Sequence, residues 1–109
     1  MGSYILQLAK VRGLNLVCVV RRESTVAALK QAGADVVLVD GIDLVEQVRA
    51  ATGAEMKLAL DAVAGDTFGR LAETLEESGT IVLYGGMSNK PASVDIDSIL
   101  FRDLRVRGF

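Results

Sequence analysis

Four stretches of helical spacing in this chain are each closed by a glycine and followed by a short apolar run, and that rhythm restricts the fold most. Gly2 to Arg12 sets Ile5, Leu8 and Ala9 on one side, stops at Gly13 and leads into the run Leu14 to Val20. Ser24 suits the N-cap of a helix through Ala32, Gly33 closes it, and Asp35 to Val39 follows. Ile42, Val45 and Val48 recur every third residue in a helix ending at Gly53, ahead of Leu58 to Val63. Asp66 can cap a fourth helix, in which Phe68, Leu71, Ala72 and Leu75 meet the i, i+3, i+4, i+7 template before Gly79. Asp95 to Leu100 reads as a short helical turn and Leu104 to Phe109 as a last strand.

The run Gly79 to Met87 is the sharpest of these. Ile81, Val82 and Leu83 are apolar without alternation, so both faces of the strand need cover, the habit of a parallel sheet clothed by helices. Parallel neighbours need crossover helices, and the helix-strand alternation supplies them. The expected fold is therefore α/β, a doubly wound parallel sheet, in one domain over residues 1–109, since no Pro- or Ser-rich linker divides the chain.

Composition narrows the function. Half of the residues are apolar, 24% are charged and the net charge is -2, which disfavours a nucleic-acid surface. No apolar run is long enough for a membrane span and the N-terminus lacks a signal-peptide pattern, so the cytoplasm, or an organelle reached with a lost transit peptide, is expected. Cys18 stands alone and reads as a small core residue; with no histidine in the chain, a catalytic zinc site within it is not expected.

A dinucleotide-binding sheet opens with a strand and a glycine-rich turn, whereas this chain opens on the helix. The expected fold is thus an incomplete Rossmann-like sheet lacking its first strand and most of the glycine-rich turn, of which Gly2 can be the last glycine. The strand order 3-2-1-4-5-6 without its first member leaves a pair and a trio. Unpaired backbone groups between them call for closure of the second strand onto the fourth, or for pairing with another chain.

In such a fold ligands sit at the carboxyl ends of the strands. Gly85 and Gly86 remove side chains there, either to admit a ligand to the backbone or merely to turn the chain. Arg21 and Arg22, directly after the second strand, suit a 2′-phosphate because guanidinium donates paired hydrogen bonds and keeps its charge. Ser24 can add a hydroxyl or an amide to that phosphate, while neighbouring Glu23 must point away; ordinary solvated punctuation is the alternative for the arginines. Asp61, which interrupts an apolar strand, reads as a structural carboxylate bonded to a helix or loop amide. Tyr84 suits packing beside a cofactor ring rather than proton transfer. Met87 and Phe101 read as core, and Arg102, Arg105 and Arg107 as a solvated basic face.

Thr80 to Met87, Ile5 to Lys10 and the closing Phe101 to Phe109 resemble the nucleotide-binding domain of the medium-chain dehydrogenase/reductase superfamily. The similarity is greatest to its zinc-independent branch of trans-2-enoyl-CoA or enoyl-ACP reductases of the mitochondrial type, with quinone-oxidoreductase-like proteins near by. The resemblance implies NADPH as cofactor, its 2′-phosphate on Arg21, Arg22 and Glu23, and its nicotinamide side on Tyr84, Gly85, Gly86, Met87 and Phe109. Where relatives carry Arg-Asp-Arg, this chain has Arg21-Arg22-Glu23, and the resemblance reduces the family's phosphate-cradling turn to Gly2 and Ser3.

The implied parent reaction reduces a trans-2,3 double bond of an acyl thioester, in the cytoplasm or the mitochondrial matrix. The resemblance also implies a truncated domain with no catalytic residue of its own. Its partners are then a missing catalytic domain and a second copy, paired through the edge strand Leu104 to Phe109 or by strand exchange. A cofactor-free dimerisation module is the rival from another class.

Overall fold

Apolar runs without alternation lie here in two parallel sheets; Ile81 is buried, with Val82 and Leu83 partly so, but Leu58 and Leu60 are 55% and 41% exposed, so cover on both faces is not uniform. The structure is a computed structural model and describes residues 2–109, with side chains described from residue 5 onward. The chain divides into two compact units, Met1–Gly41 and Ile42–Phe109, described in turn.

The first unit holds α1 (Gly2–Val11), β1 (Val17–Val20), a 3-10 turn at Glu23–Thr25, α2 (Val26–Gln31) and β2 (Val36–Val39). β1 and β2 pair in parallel from Val17 opposite Val36 to Val20 opposite Val39. Their core is Leu6, Ala34 and Val37, flanked by Leu16, Cys18, Val20, Val26 and Leu29. α1 buries Leu6 and Ala9, while Leu8 is half exposed, so the buried stripe is rotated from the expected Ile5, Leu8 and Ala9. β1 starts three residues later than expected because the amide of Leu14 is used in closing the helix, donating to the Ala9 carbonyl at 2.9 Å. Ser24 does not cap α2; it lies inside the 3-10 turn, and Thr25 holds the N-cap position without a side-chain bond.

The second unit holds α3 (Leu44–Thr52), β3 (Met56–Asp61), α4 (Gly65–Glu73), β4 (Leu75–Leu83), α5 (Ile96–Leu100) and β5 (Arg105–Gly108). Its three strands form one parallel sheet in the order β3-β4-β5. The pair and the trio expected from the strand order are thus both present. The core of the trio is Ala59, Phe68, Ala72, Leu75, Ile81 and Leu104, and burying Phe68 alone is worth about 1.5–3 kcal/mol. In α3 the buried residues are Leu44 and Val48, one helical turn apart, whereas Ile42 precedes the helix and is 98% exposed.

Leu75 is buried as the helical template requires, but in a strand. α4 ends at Glu73, the Thr74 hydroxyl donates to the Leu71 carbonyl at 2.6 Å, and Leu75 already pairs with Met56. Four residues of β4, Glu76 to Gly79, then bulge past Lys57 before Thr80 pairs with Leu58. Gly79 therefore closes a bulge rather than a helix. Arg102 holds this bulge: its carbonyl accepts from the Ser78 amide at 2.8 Å and its guanidinium donates to the Leu75 carbonyl and to Ser98 Oγ. Only Arg105 and Arg107 remain of the expected solvated basic face. Asp95 does cap α5, accepting from the Asp97 amide at 3.2 Å. Met87 and Phe101, expected in the core, are 72% and 75% exposed. No helix among the described residues is long and apolar enough to cross a membrane.

Position N-cap of α4 is taken by Ala64 rather than Asp66, with φ 64° and ψ -154°, a region that strains any side-chain-bearing residue. Replacing Ala64 with glycine relieves about 1–3 kcal/mol of strain and costs about 0.4–1 kcal/mol through the more flexible unfolded chain. Ala64→Gly is expected to raise stability by about 1 kcal/mol, read as a higher urea midpoint.

Gly69, within α4, lies where an added Cβ meets the Ser93 carbonyl oxygen at 2.6 Å. Gly69→Ala gains about 1 kcal/mol of helix propensity and is expected to lose more to this backbone clash, lowering the same midpoint.

Burial pushes the Cys18 thiol above its ordinary pKa. A thiol so shifted contributes stability that is whole below the unfolded value of about 8.5 and is lost as pH rises through the folded value. Alkylation of Cys18 by iodoacetamide at pH 8 is expected to be slower in the folded chain than in urea, and equal rates would refute it.

Candidate functional site

Parallel strands end together, and the carboxyl ends of β3, β4 and β5 meet in one place. Asp61 stands opposite Leu83 and Leu83 opposite Gly108. The ladder is continued past both pairs: the Tyr84 amide donates to the Asp61 carbonyl at 2.9 Å and the Phe109 amide to the Leu83 carbonyl at 3.1 Å. The structure thus brings Tyr84, Gly85, Gly86, Met87 and Phe109 to one sheet end. Phe109 is 99% exposed and the Tyr84 ring is half-buried.

The two glycines have different surroundings. An added Cβ at Gly85 meets the Ala62 carbonyl oxygen at 3.0 Å, so this residue is closed against the chain after β3. At Gly86 an added Cβ meets nothing within 4 Å, so its backbone is open to a ligand. Gly86 thus presents a side-chain-free backbone between Tyr84 and the 72% exposed Met87 in sequence.

The segments after β3 and β4 are stitched together. The Met87 amide donates to the Ala62 carbonyl at 3.0 Å and the Ser88 amide to the Val63 carbonyl at 3.0 Å. Ser88 Oγ donates to the same Val63 carbonyl at 2.6 Å. Asp61, 1% exposed, accepts from the Val63 amide at 2.8 Å and the Ala64 amide at 3.2 Å, which is the structural carboxylate expected of it. Sequence reasoning misses Ser88 and Ala64. The partner of Ser88 is 25 residues away, and an alanine gives no sign of left-handed backbone; Val63-Ala64-Gly65 directly after a buried aspartate was the available signal.

In the other unit, Arg21, Arg22, Glu23 and Ser24 follow the carboxyl end of β1 and are all exposed. Arg22 has extended backbone and precedes the 3-10 turn, which carries no side-chain cap. Two guanidinium groups and one hydroxyl in this short segment have the donor chemistry for a phosphate, with Glu23 as the opposing charge. Gly2 and Ser3, the expected remnant of a phosphate turn, open α1, and their surroundings lie outside what the structure describes. Zinc does not fit this chain: it has no histidine and a single cysteine, and no group of three potential ligands occurs among the described residues.

Known proteins extend this geometry. The mitochondrial enoyl-[acyl-carrier-protein] reductase of Dictyostelium discoideum is 36% identical over 99% of the chain, which covers 33% of that protein. Among solved structures, the complex of Etr1p with NADP and crotonyl-CoA superposes with a TM-score of 0.85 at 28% identity, over 99% of this chain and 33% of that one. The mitochondrial 2-enoyl thioester reductase Etr1p/Etr2p heterodimer from Candida tropicalis gives a TM-score of 0.83 at 28% identity, with the same two coverages. The chain spans about a third of the length of these relatives. Its two parallel sheets correspond to a Rossmann-like nucleotide-binding domain, as the resemblance read from Thr80 to Met87 implied. A family described as zinc-binding dehydrogenase matches residues 1–109, and the chain belongs to that family.

Proposed function

We propose that this chain is the NADPH-binding part of an oxidoreductase that reduces 2-enoyl thioesters. The observation that carries the reading is the convergence of Tyr84, Gly85, Gly86, Met87 and Phe109 at the carboxyl ends of β3, β4 and β5, with open backbone at Gly86. Similarity to reductases whose structures hold NADP and crotonyl-CoA supports it.

In this reading the cofactor, when bound, supplies a hydride to the acceptor double bond. The chain's own residues bind and orient it. Arg21 and Arg22 hold the 2′-phosphate, assisted by Ser24, while Glu23 stays in solvent. Gly86 lets the backbone come close to the nicotinamide end, and Tyr84, Met87 and Phe109 flank it. Gly2 and Ser3, as the remnant of the phosphate turn, are the candidates for the diphosphate. None of these is a proton donor to the substrate, so that group comes from a second domain, which also completes the substrate site. The named relatives are described as mitochondrial, and the mitochondrial matrix is the proposed compartment.

A second reading has an observation of its own. All four residues of β5 are exposed and Phe109 beyond it is almost wholly so, which leaves an edge able to pair with a second copy. On that reading the chain is an assembly module and needs no cofactor.

Calorimetric titration with 2′,5′-ADP, against adenosine 5′-monophosphate as the control without a 2′-phosphate, separates the two. The cofactor reading expects binding of the first only, weakened by salt and about tenfold or more by Arg21→Ala, the loss of a charge-assisted hydrogen bond. No heat from a folded sample, together with a dimer in light scattering, would transfer the assignment to the assembly module.

A further inference from the structure

Strain in a folded chain is kept only where surrounding bonds enforce it, and the strained residue here sits at the candidate site. Ala64 has φ 64° and ψ -154°, is buried, and follows the carboxyl end of β3 by three residues. Nothing in the helix it precedes requires this, since its side chain caps nothing. What enforces it is Asp61, whose two carboxylate oxygens accept the Val63 and Ala64 amides at 2.8 and 3.2 Å. The corner so fixed turns the Ala62 and Val63 carbonyls toward the segment after β4, where they accept from Met87, from Ser88 and from Ser88 Oγ. A Cβ added at Gly85 would stand 3.0 Å from the Ala62 oxygen, so a side chain there would press on the same corner.

We propose that Asp61, acting through the Ala62–Ala64 corner and Ser88, is a positioning residue that sets the height of the Gly85-Gly86-Met87 ledge beneath the nicotinamide end of the cofactor. The inference rests on the cofactor reading above and deepens it. Two backbone carbonyls and a serine hydroxyl transmit the carboxylate's placement to a turn that Asp61 reaches through its own carbonyl bond to the Tyr84 amide as well. A loosened corner lets the ledge move, and a ledge that moves loses its contact with one end of a dinucleotide while the other end is held elsewhere in the chain. The inference therefore separates the two halves of the ligand.

The test uses this chain, with NADP+ and 2′,5′-ADP as probes. Asp61→Asn keeps the volume but presents an amide hydrogen to one of the two backbone donors, leaving that donor without its acceptor. NADP+ affinity is expected to fall about tenfold, the equivalent of one lost hydrogen bond to a charged group, while 2′,5′-ADP affinity holds. Ser88→Ala removes only the hydroxyl stitch and keeps the experiment decisive if Asp61→Asn does not fold; it is expected to shift the same ratio in the same direction by a smaller factor. In the ligand-free chain, amide exchange at Met87 and Ser88 is expected to quicken in both variants.

An unchanged ratio of the two affinities in a folded variant overturns the positioning role and leaves the cofactor reading standing. Equal weakening of both ligands also overturns it, because a merely structural carboxylate acts that way. A wild-type chain that binds neither ligand overturns the cofactor reading, and the inference with it.

Discussion

A carboxylate taken out of water has to find donors, and the second unit depends on how Asp61 finds them. The backbone amides of Val63 and Ala64 serve it, which holds the chain after β3 in a tight corner and uses one donor, the N-cap amide of Ala64, that would otherwise begin α4 unpaired. The corner reverses direction at once, so α4 lies back over its own strand with Phe68 and Ala72 against Ala59 and Ile81. That is the geometry a crossover helix needs in a parallel sheet. The same bonds that let the helix begin also present carbonyls to the segment after β4. Core and candidate site therefore share one origin.

The helix-strand rhythm was legible because each period has a separate physical cause. Glycines at 13, 33 and 53 take left-handed backbone as helices end, and apolar runs without alternation pair in parallel. Boundaries were less legible where one residue type serves two structures. Leu75 is an apolar residue three positions after Ala72, so spacing assigns it to the helix, yet it is buried equally well as the first strand residue. Ser24 is a good cap by type, but the chain enters α2 through a 3-10 turn that leaves its hydroxyl no such place. Ile42 fits a three-residue period that is not the one the fold uses; Leu44 and Val48 face the core.

The site was legible in part, along the same divide. Gly85 and Gly86 could be placed as candidates because strand ends are ligand ends in this fold, a rule of topology that needs no long-range contact, whereas Met87 and Phe109 entered the candidate site only through the family resemblance. The bonds of Arg102 to the bulge, of Ser88 to Val63 and of Ser78 to Arg102 join residues 24 to 27 apart in sequence, and residue type alone carries no trace of them. Ala64 is a further case. Its strain exists only because neighbouring bonds hold it, and composition would have suggested glycine at such a backbone angle.

β5 shows how a short edge limits its own pairing. A two-fold axis perpendicular to the sheet would set two copies of β5 antiparallel, with the axis passing through one residue pair. Centred on Arg105 or Arg107, it sets that arginine opposite itself; centred on Val106, it sets Arg105 opposite Arg107. Like charges directly opposite are unfavourable, so all three registers are disfavoured. Centring on Gly108 escapes this, because Arg107 then lies opposite the second copy's Phe109, whose ring face can receive a guanidinium. The two arginines thus protect a fully exposed strand from indiscriminate pairing while leaving one register open, and in that register Phe109 cannot also flank a cofactor without sharing its ring between the two contacts. On the cofactor reading, edge pairing and cofactor binding at this strand end would compete for that one side chain.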